Sequence, residues 1–230
     1  MMLSANNLGK SYDNNWAVQN VSFELERGSI TGLLGRNASG KSTLLRLLAG
    51  SSKPTTGSCS VLGNTCGVDS RKVTSFSPDV DCFYTHLTVG QHLEFFSNFY
   101  DSWNWEKCND ILATMELAAE SKINNLSQGQ KARLKLTVSF CWDSQLILMD
   151  EPFKGIDSPS KKLILDVLFN EYKHEKQTIV ISTHNIEETE SLFDQILVMK
   201  KGKLLIQANP DQLKEKYQEP LSQILERITE

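Results

Sequence analysis

With 230 residues, 40% of them hydrophobic and 23% charged, the chain has the composition of a globular domain long enough to bury a sizeable core. A net charge of −4 and a pI near 5.7 argue against nucleic acid or an anionic lipid surface as the main electrostatic partner. No run approaches the ~18 apolar residues of a membrane span, and Met1-Met2-Leu3-Ser4-Ala5-Asn6 lacks a signal-peptide pattern, so a cytoplasmic protein is expected.

Residues 1–30 read as strands joined by a polar turn at Asp13-Asn14-Asn15, with Val18, Val21, Phe23 and Leu25 including an alternating stretch. Ser29 to Leu34 is a short, mostly apolar strand, and Thr43 to Ala49 carries leucines at helical spacing. Between them, Gly35-Arg36-Asn37-Ala38-Ser39-Gly40-Lys41-Ser42 fits the pattern of glycine, four free positions, glycine, lysine and serine or threonine. In that setting successive backbone N–H groups and the helix N-terminus hold a polyphosphate. Lys41 would reach the β- and γ-phosphates and the Ser42 hydroxyl would hold Mg²⁺, so a nucleoside triphosphate is the expected ligand. Ser51 to Ser58, with Pro54 and Gly57, ends the helix, and residues 59–76 read as short strands and turns.

Residues 78–132 differ in character. Val89 to Tyr100 and Trp105 to Leu117 read as amphipathic helices with no strand between them, which is a helical insertion into an α/β domain. From Leu134 onward, the apolar runs Gln145 to Met149, Thr178 to Ser182 and Gln195 to Met199 are separated by helices, as in a mainly parallel sheet with crossovers. The charged tail from Pro210 to Glu230, with its spaced leucines, reads as a surface helix. The five cysteines are odd in number with no C-x-x-C pair, and are expected to be reduced and mostly buried. The spacing of Cys82, His86 and His92 fits no familiar zinc site.

Two further motifs carry chemistry. Leu146-Ile147-Leu148-Met149-Asp150-Glu151-Pro152 is an apolar strand ending in two carboxylates. Such a pair alone also suits a solvated helix start. Downstream of a phosphate loop, Asp150 helps hold Mg²⁺ through water, and Glu151 orients and polarises the attacking water. Ser127 has the setting of a helix N-cap, with Asn124-Asn125 before it and Lys131, Arg133 and Lys135 after it. Taken with the other two motifs, Leu126-Ser127-Gln128-Gly129-Gln130 resembles the signature segment of the ABC ATPases.

The resemblance runs from about residue 3 to 207, with the motifs in the family's order. Tyr12 matches the aromatic that stacks on adenine, or is an ordinary strand aromatic. Asp157, in Gly155-Ile156-Asp157, matches the loop that communicates between two sites, and His184, in Ser182-Thr183-His184, matches the γ-phosphate sensor. The family implies an α/β P-loop NTPase fold with a mainly parallel sheet, an antiparallel β subdomain and an inserted α-helical subdomain. Residues 1–77 and 133–207 would form the core, 78–132 the helical subdomain and 208–230 a tail. ATP would be held by Tyr12, Gly35, Asn37, Ala38, Ser39, Gly40, Lys41, Ser42, Thr43 and Asp150. Ser127, Gly129, Gln130 and Asp157 would complete the site, and Mg²⁺ would sit on Ser42, Asp150 and Asp79. Lys41, Glu151 and His184 would be catalytic.

In this family each ATP lies between the phosphate loop of one protomer and the signature of another. A head-to-tail homodimer or heterodimer is therefore implied. The implied role is the ATPase subunit of a transporter, most like bacterial export types. It would sit on the inner face of the cell membrane against a separate permease, with no nucleic-acid partner. The alternative is a soluble ABC ATPase of assembly or regulation. Three departures stand out. Ala38 replaces a common glycine, which asks only that the loop accept a Cβ. Gln128 replaces another, while Ser127 and Gly129 keep the γ-phosphate contact. Asp79, in Ser77-Pro78-Asp79, replaces a glutamine whose amide ligates Mg²⁺. The shorter, charged side chain is expected to engage metal more weakly, either through water or not at all. Phe95, Phe96, Phe99, Tyr100, Trp103 and Trp105 crowd the helical insertion, as core residues or as a partner-docking surface.

Overall fold

The computed structural model describes residues 1–172, 177–187 and 189–229. In chain order the strands and helices begin with β1 (Leu3–Tyr12), β2 (Asn15–Leu25), β3 (Ile30–Leu34), α1 (Lys41–Leu48), β4 (Thr56–Val61), β5 (Asn64–Thr65) and β6 (Thr74–Ser77). The helices α2 (Val89–Ser97), α3 (Trp105–Thr114) and α4 (Gln128–Phe140) come next. They are followed by β7 (Leu146–Asp150), α5 (Ser158–Tyr172), β8 (Thr178–Thr183), β9 (Gln195–Lys200), β10 (Lys203–Ala208), α6 (Pro210–Tyr217) and α7 (Leu221–Thr229).

β1 and β2 form a hairpin closed by Asp13 and Asn14 at φ 45° and 67°, the left-handed pair that matches strand twist in a two-residue turn. With β4 and β5 they make an antiparallel sheet in the order β2-β1-β4-β5. The larger sheet has the order β10-β9-β3-β8-β7-β6 and is parallel except for β10. Every residue of β3, β7 and β8 is buried, because both faces of this sheet are covered. That is why these strands read as continuous apolar runs without alternation.

The pleat sends Leu33, Leu148, Val180 and Leu197 to one side, where they meet Leu44, Leu45, Leu47 and Leu48 of α1 and Val18 and Val21 of β2. Ile30, Leu34, Ile147, Met149 and Ile181 point to the other side, against Leu134 and Phe140 of α4 and Ile164 and Leu168 of α5. α1 is thus clamped between the two sheets, which fixes the loop preceding it.

Caps set the helix starts. Thr88 forms a capping box with Gln91, Asn104 accepts from the Lys107 N–H, and Ser127 forms a capping box with Gln130. The spacing predicts α2 to Tyr100, but it ends at Ser97. The Ser97 hydroxyl and Asn98 amide both bond the Glu94 carbonyl and compete with continued helix. α4 runs without a break across residue 132, joining the helical insertion to the core.

The expected single surface helix of the tail is corrected to two helices. Gln218 sits in the left-handed region at φ 55°, Pro220 follows, and α7 starts at Leu221. Leu213, Leu221, Ile224 and Leu225 are buried in the helix-side core, so the spaced leucines mark a packed face. Cys59, Cys108 and Cys141 are buried and Cys82 is exposed, and none of the four forms a disulfide.

Candidate functional site

The phosphate loop leaves the C-terminal end of β3 and enters α1. Gly40 has φ +104°, and a Cβ there would lie 2.3 Å from the Ala17 carbonyl oxygen. A Cβ on Gly35 would lie 2.4 Å from the carbonyl oxygen of Met199. The loop is therefore seated directly on the backbones of β2 and β9, and the Gly202 N–H bonds the Ser39 carbonyl. Ala38 adopts φ 62°, which corrects the reading that this position asks only for room for a Cβ. An L-residue is held there in the left-handed region, at a cost of about 1 kcal/mol.

No side chain caps α1, so the first-turn N–H groups of Lys41, Ser42 and Thr43 face outward for an external acceptor. The Ser39 hydroxyl is buried without a partner. This set of donors fits an oligophosphate. Asn37 and Ala38 are exposed at the rim of the loop.

The Lys41 ammonium donates to the Gly35 carbonyl at 2.8 Å and lies 3.2 Å from Glu151 Oε1. Glu151 Oε2 lies 2.8 Å from His184 Nδ1. Lys41 and Glu151 are almost enclosed while His184 is half exposed, so the carboxylate bridges a buried cation and an imidazole at the surface. Beneath them, the buried Ser182 hydroxyl donates to Asp150 Oδ1 at 2.7 Å and accepts from the Glu151 N–H at 2.9 Å. Glu151 itself is held at φ 49°.

Ser182 thus fixes both acids at once. The sequence reading used the Ser-Thr-His turn only for its histidine. Lys41, Asp150, Glu151 and His184 all meet at the C-terminal ends of β3, β7 and β8, the edge where open parallel sheets bind ligands.

Tyr12 is 47% exposed, with the Lys10 ammonium 5.2 Å from its ring centre. Asp79 lies just beyond β6, and its Oδ2 accepts from Lys154 Nζ at 2.7 Å. A cleft of about 240 Å³ is lined by Ser77, Asp79, Asp150, Glu151 and Lys154 among others. A larger cleft of about 780 Å³ lies between the phosphate loop, His184 and α7, with Arg36, Asn37, Leu225 and Glu226 on its walls. That α7 borders the site was not readable from the tail's sequence.

The signature residues form a separate group. Ser127 and Gln128 are exposed at the start of α4, and the Ser127 hydroxyl accepts from the Gln130 N–H at 3.2 Å. Gly129 is buried where a Cβ would lie 2.3 Å from Ser160 Oγ and 2.6 Å from Asp157 Oδ1. Hydrogen bonds from Ser160 hold the Asp157 carboxyl below its ordinary range. The structure therefore brings Asp157 to the signature, and brings Lys41, Asp150, Glu151 and His184 to one another.

Residues 18–154 match the family model described as ABC transporter. The chain belongs to the ABC transporter family. It is 35% identical over 216 residues to ABC transporter A family member 1 of Dictyostelium discoideum, covering 90% of this chain and 24% of that one. It is 31% identical to the SkfA peptide export ATP-binding protein SkfE of Bacillus subtilis (strain 168), covering 89% of this chain and 87% of that one. It is similar in fold to a dimeric post-hydrolysis state of an ATP-binding cassette bound to ADP and Pi. The TM-score is 0.81 at 23% identity, with 90% and 98% of the two chains covered. The molecule is thus an ABC ATPase cassette with the P-loop NTPase fold, an ATP-hydrolysing subunit of the ABC transporter type.

Proposed function

We propose that two copies of this chain bind two ATP molecules head to tail and that their hydrolysis drives a separate membrane permease. The observation that carries the reading is the Glu151 carboxylate, bridged between Lys41 at 3.2 Å and His184 at 2.8 Å on the edge where the phosphate loop opens. A phosphate that reaches Lys41 draws the ammonium away from Glu151 and leaves that carboxylate to orient water and accept its proton. His184 holds the γ-phosphate in line, and the first-turn N–H groups of α1 neutralise the phosphates with Lys41. Tyr12 stacks on adenine with the ring face not covered by Lys10.

Among the described residues no group of three or more His, Cys, Asp or Glu is placed to hold a metal ion. Ser42 and Asp150 would hold Mg²⁺ jointly with phosphate oxygens, and its charge would stabilise the phosphoryl group in transfer. Asp79 is the third expected ligand, and its carboxylate is already engaged by Lys154. Ser127, Gly129, Gln130 and Asp157 would meet the ATP held by the other copy. The exposure of Ser127 and Gln128 at the start of α4 supports that reading.

The expected aromatic surface divides. Phe96, Tyr100 and Trp103 are half-buried, while Phe95, Phe99 and Trp105 are exposed, and Phe95 meets Phe99 and the exposed Tyr84 edge to face. That exposed strip suits a docked apolar segment, and a permease is its proposed partner. No described helix is long and apolar enough to cross a membrane. Membrane attachment at the inner face would run through this exposed surface, and the name of the SkfE relative favours export.

The test is affinity purification of Glu151→Gln from detergent-solubilised cells with ATP and Mg²⁺. A co-purifying integral membrane protein that is lost on Phe95→Glu with Phe99→Glu is expected. Recovery of soluble partners alone would move the reading to an assembly or regulatory ATPase.

A further inference from the structure

We propose that Asp79 and Lys154 form an ion-paired strut that positions the Glu151 loop, so that Asp79 acts as a positioning residue and not as a metal ligand. This rests on the reading of Glu151 as the group that activates water. The two residues are 75 positions apart, yet sheet topology places them side by side. β6 and β7 are parallel neighbours with Ser77 paired to Met149, so the loops that follow them leave the same edge together.

Lys154 Nζ donates to Asp79 Oδ2 at 2.7 Å, the short distance of a charge-assisted bond. Its backbone N–H also donates to the Glu151 carbonyl at 3.1 Å, closing a turn around Glu151. A displacement of Lys154 is therefore passed to a residue whose backbone already sits at φ 49°. On the other side, the Lys135 ammonium of α4 bonds the carbonyls of Pro78 and Asp79 at 3.4 and 3.3 Å and pairs with Asp81 at 3.1 Å. The strut thus runs from α4 through Asp79 and Lys154 to Glu151.

Charge supports the same assignment. Asp79, Asp150 and Glu151 line one cleft with Lys154. The Lys154 ammonium sits among them and is bonded to Asp79 Oδ2 at 2.7 Å. It neutralises one of three carboxylates that would otherwise repel each other. Side-chain exposures of 55% and 36% mean that the pair adds little to global stability. Its effect should therefore appear in placement rather than in melting temperature.

Asp79→Asn, Lys154→Met and the double variant test this on the full chain. Each single change is expected to lower kcat about two- to fivefold, with KM and melting temperature unchanged. The double variant should fall no further than either single, because both remove one interaction. The Mg²⁺ concentration needed for half-maximal binding of a fluorescent ADP analogue should not move in any of them. Hydrogen exchange without nucleotide should quicken in residues 151–157 for both single variants, a readout that holds whatever task Glu151 performs. Three results would overturn the strut: a Mg²⁺ shift confined to Asp79→Asn, losses that add in the double variant, or unchanged exchange in residues 151–157.

Discussion

Ser182 shows how one buried hydroxyl positions two adjacent acids. It donates to Asp150 Oδ1 and accepts from the Glu151 N–H, so both acids at the end of β7 take their direction from β8. Ser182→Ala should lower kcat about tenfold, equivalent to roughly 1–2 kcal/mol, and change nucleotide affinity little. Stopped-flow phosphate release beside a binding titration measures the two separately, and equal losses in both would place Ser182 in nucleotide binding instead.

His92 gives a pH-dependent case outside the site. It is buried between Phe83 and Phe96, with ring centroids at 5.3 and 4.8 Å and Nδ1 unpartnered. Burial pushes it down from 6.5 to about 4. The unfolded chain takes up this proton below pH 6.5, whereas the folded chain does so only near pH 4. Stability is therefore complete above pH 6.5 and should fall by roughly 3 kcal/mol as pH drops to about 4. Urea midpoints across that range should fall less steeply for His92→Phe, and an identical slope would remove His92 as the cause.

At the scale of elements, the readable parts were those where local pattern and burial agree. β3, β7 and β8 appear as apolar runs because both of their faces are covered. The start of α4 was legible from Ser127 because its cap is a local contact with Gln130. Helix ends were less so, since α2 stops where the Ser97 and Asn98 side chains take the Glu94 carbonyl. The tail misled because charge was read as exposure. The leucines at one face of α7 pack into the core, and only tertiary structure reveals what they meet. Ile224→Ala should cost about 2–4 kcal/mol, with a matching fall in urea midpoint. A loss near zero would return α7 to the surface.

For the whole molecule, the order of the motifs already placed phosphate loop, signature and paired acids on one fold. The Asp79–Lys154 and Ser182–Asp150 contacts could not be read that way, since each joins residues brought together only by parallel strand pairing. The larger consequence concerns two molecules. Lys41, Asp150, Glu151 and His184 gather at the ends of β3, β7 and β8, while Ser127 and Gly129 belong to a separate group with Asp157. On the proposed reading, one chain carries both halves of a site that a second copy completes. Mixing two inactive variants tests this most directly. Lys41→Ala disables the phosphate loop and Ser127→Arg the signature, so a mixed pair keeps one site made of two unaltered halves. Each variant alone should be inactive, and an equal mixture should recover about a quarter of unmodified ATPase activity. A mixture as inactive as its components, or a Ser127→Arg protein with full activity alone, would contradict a site shared between two copies.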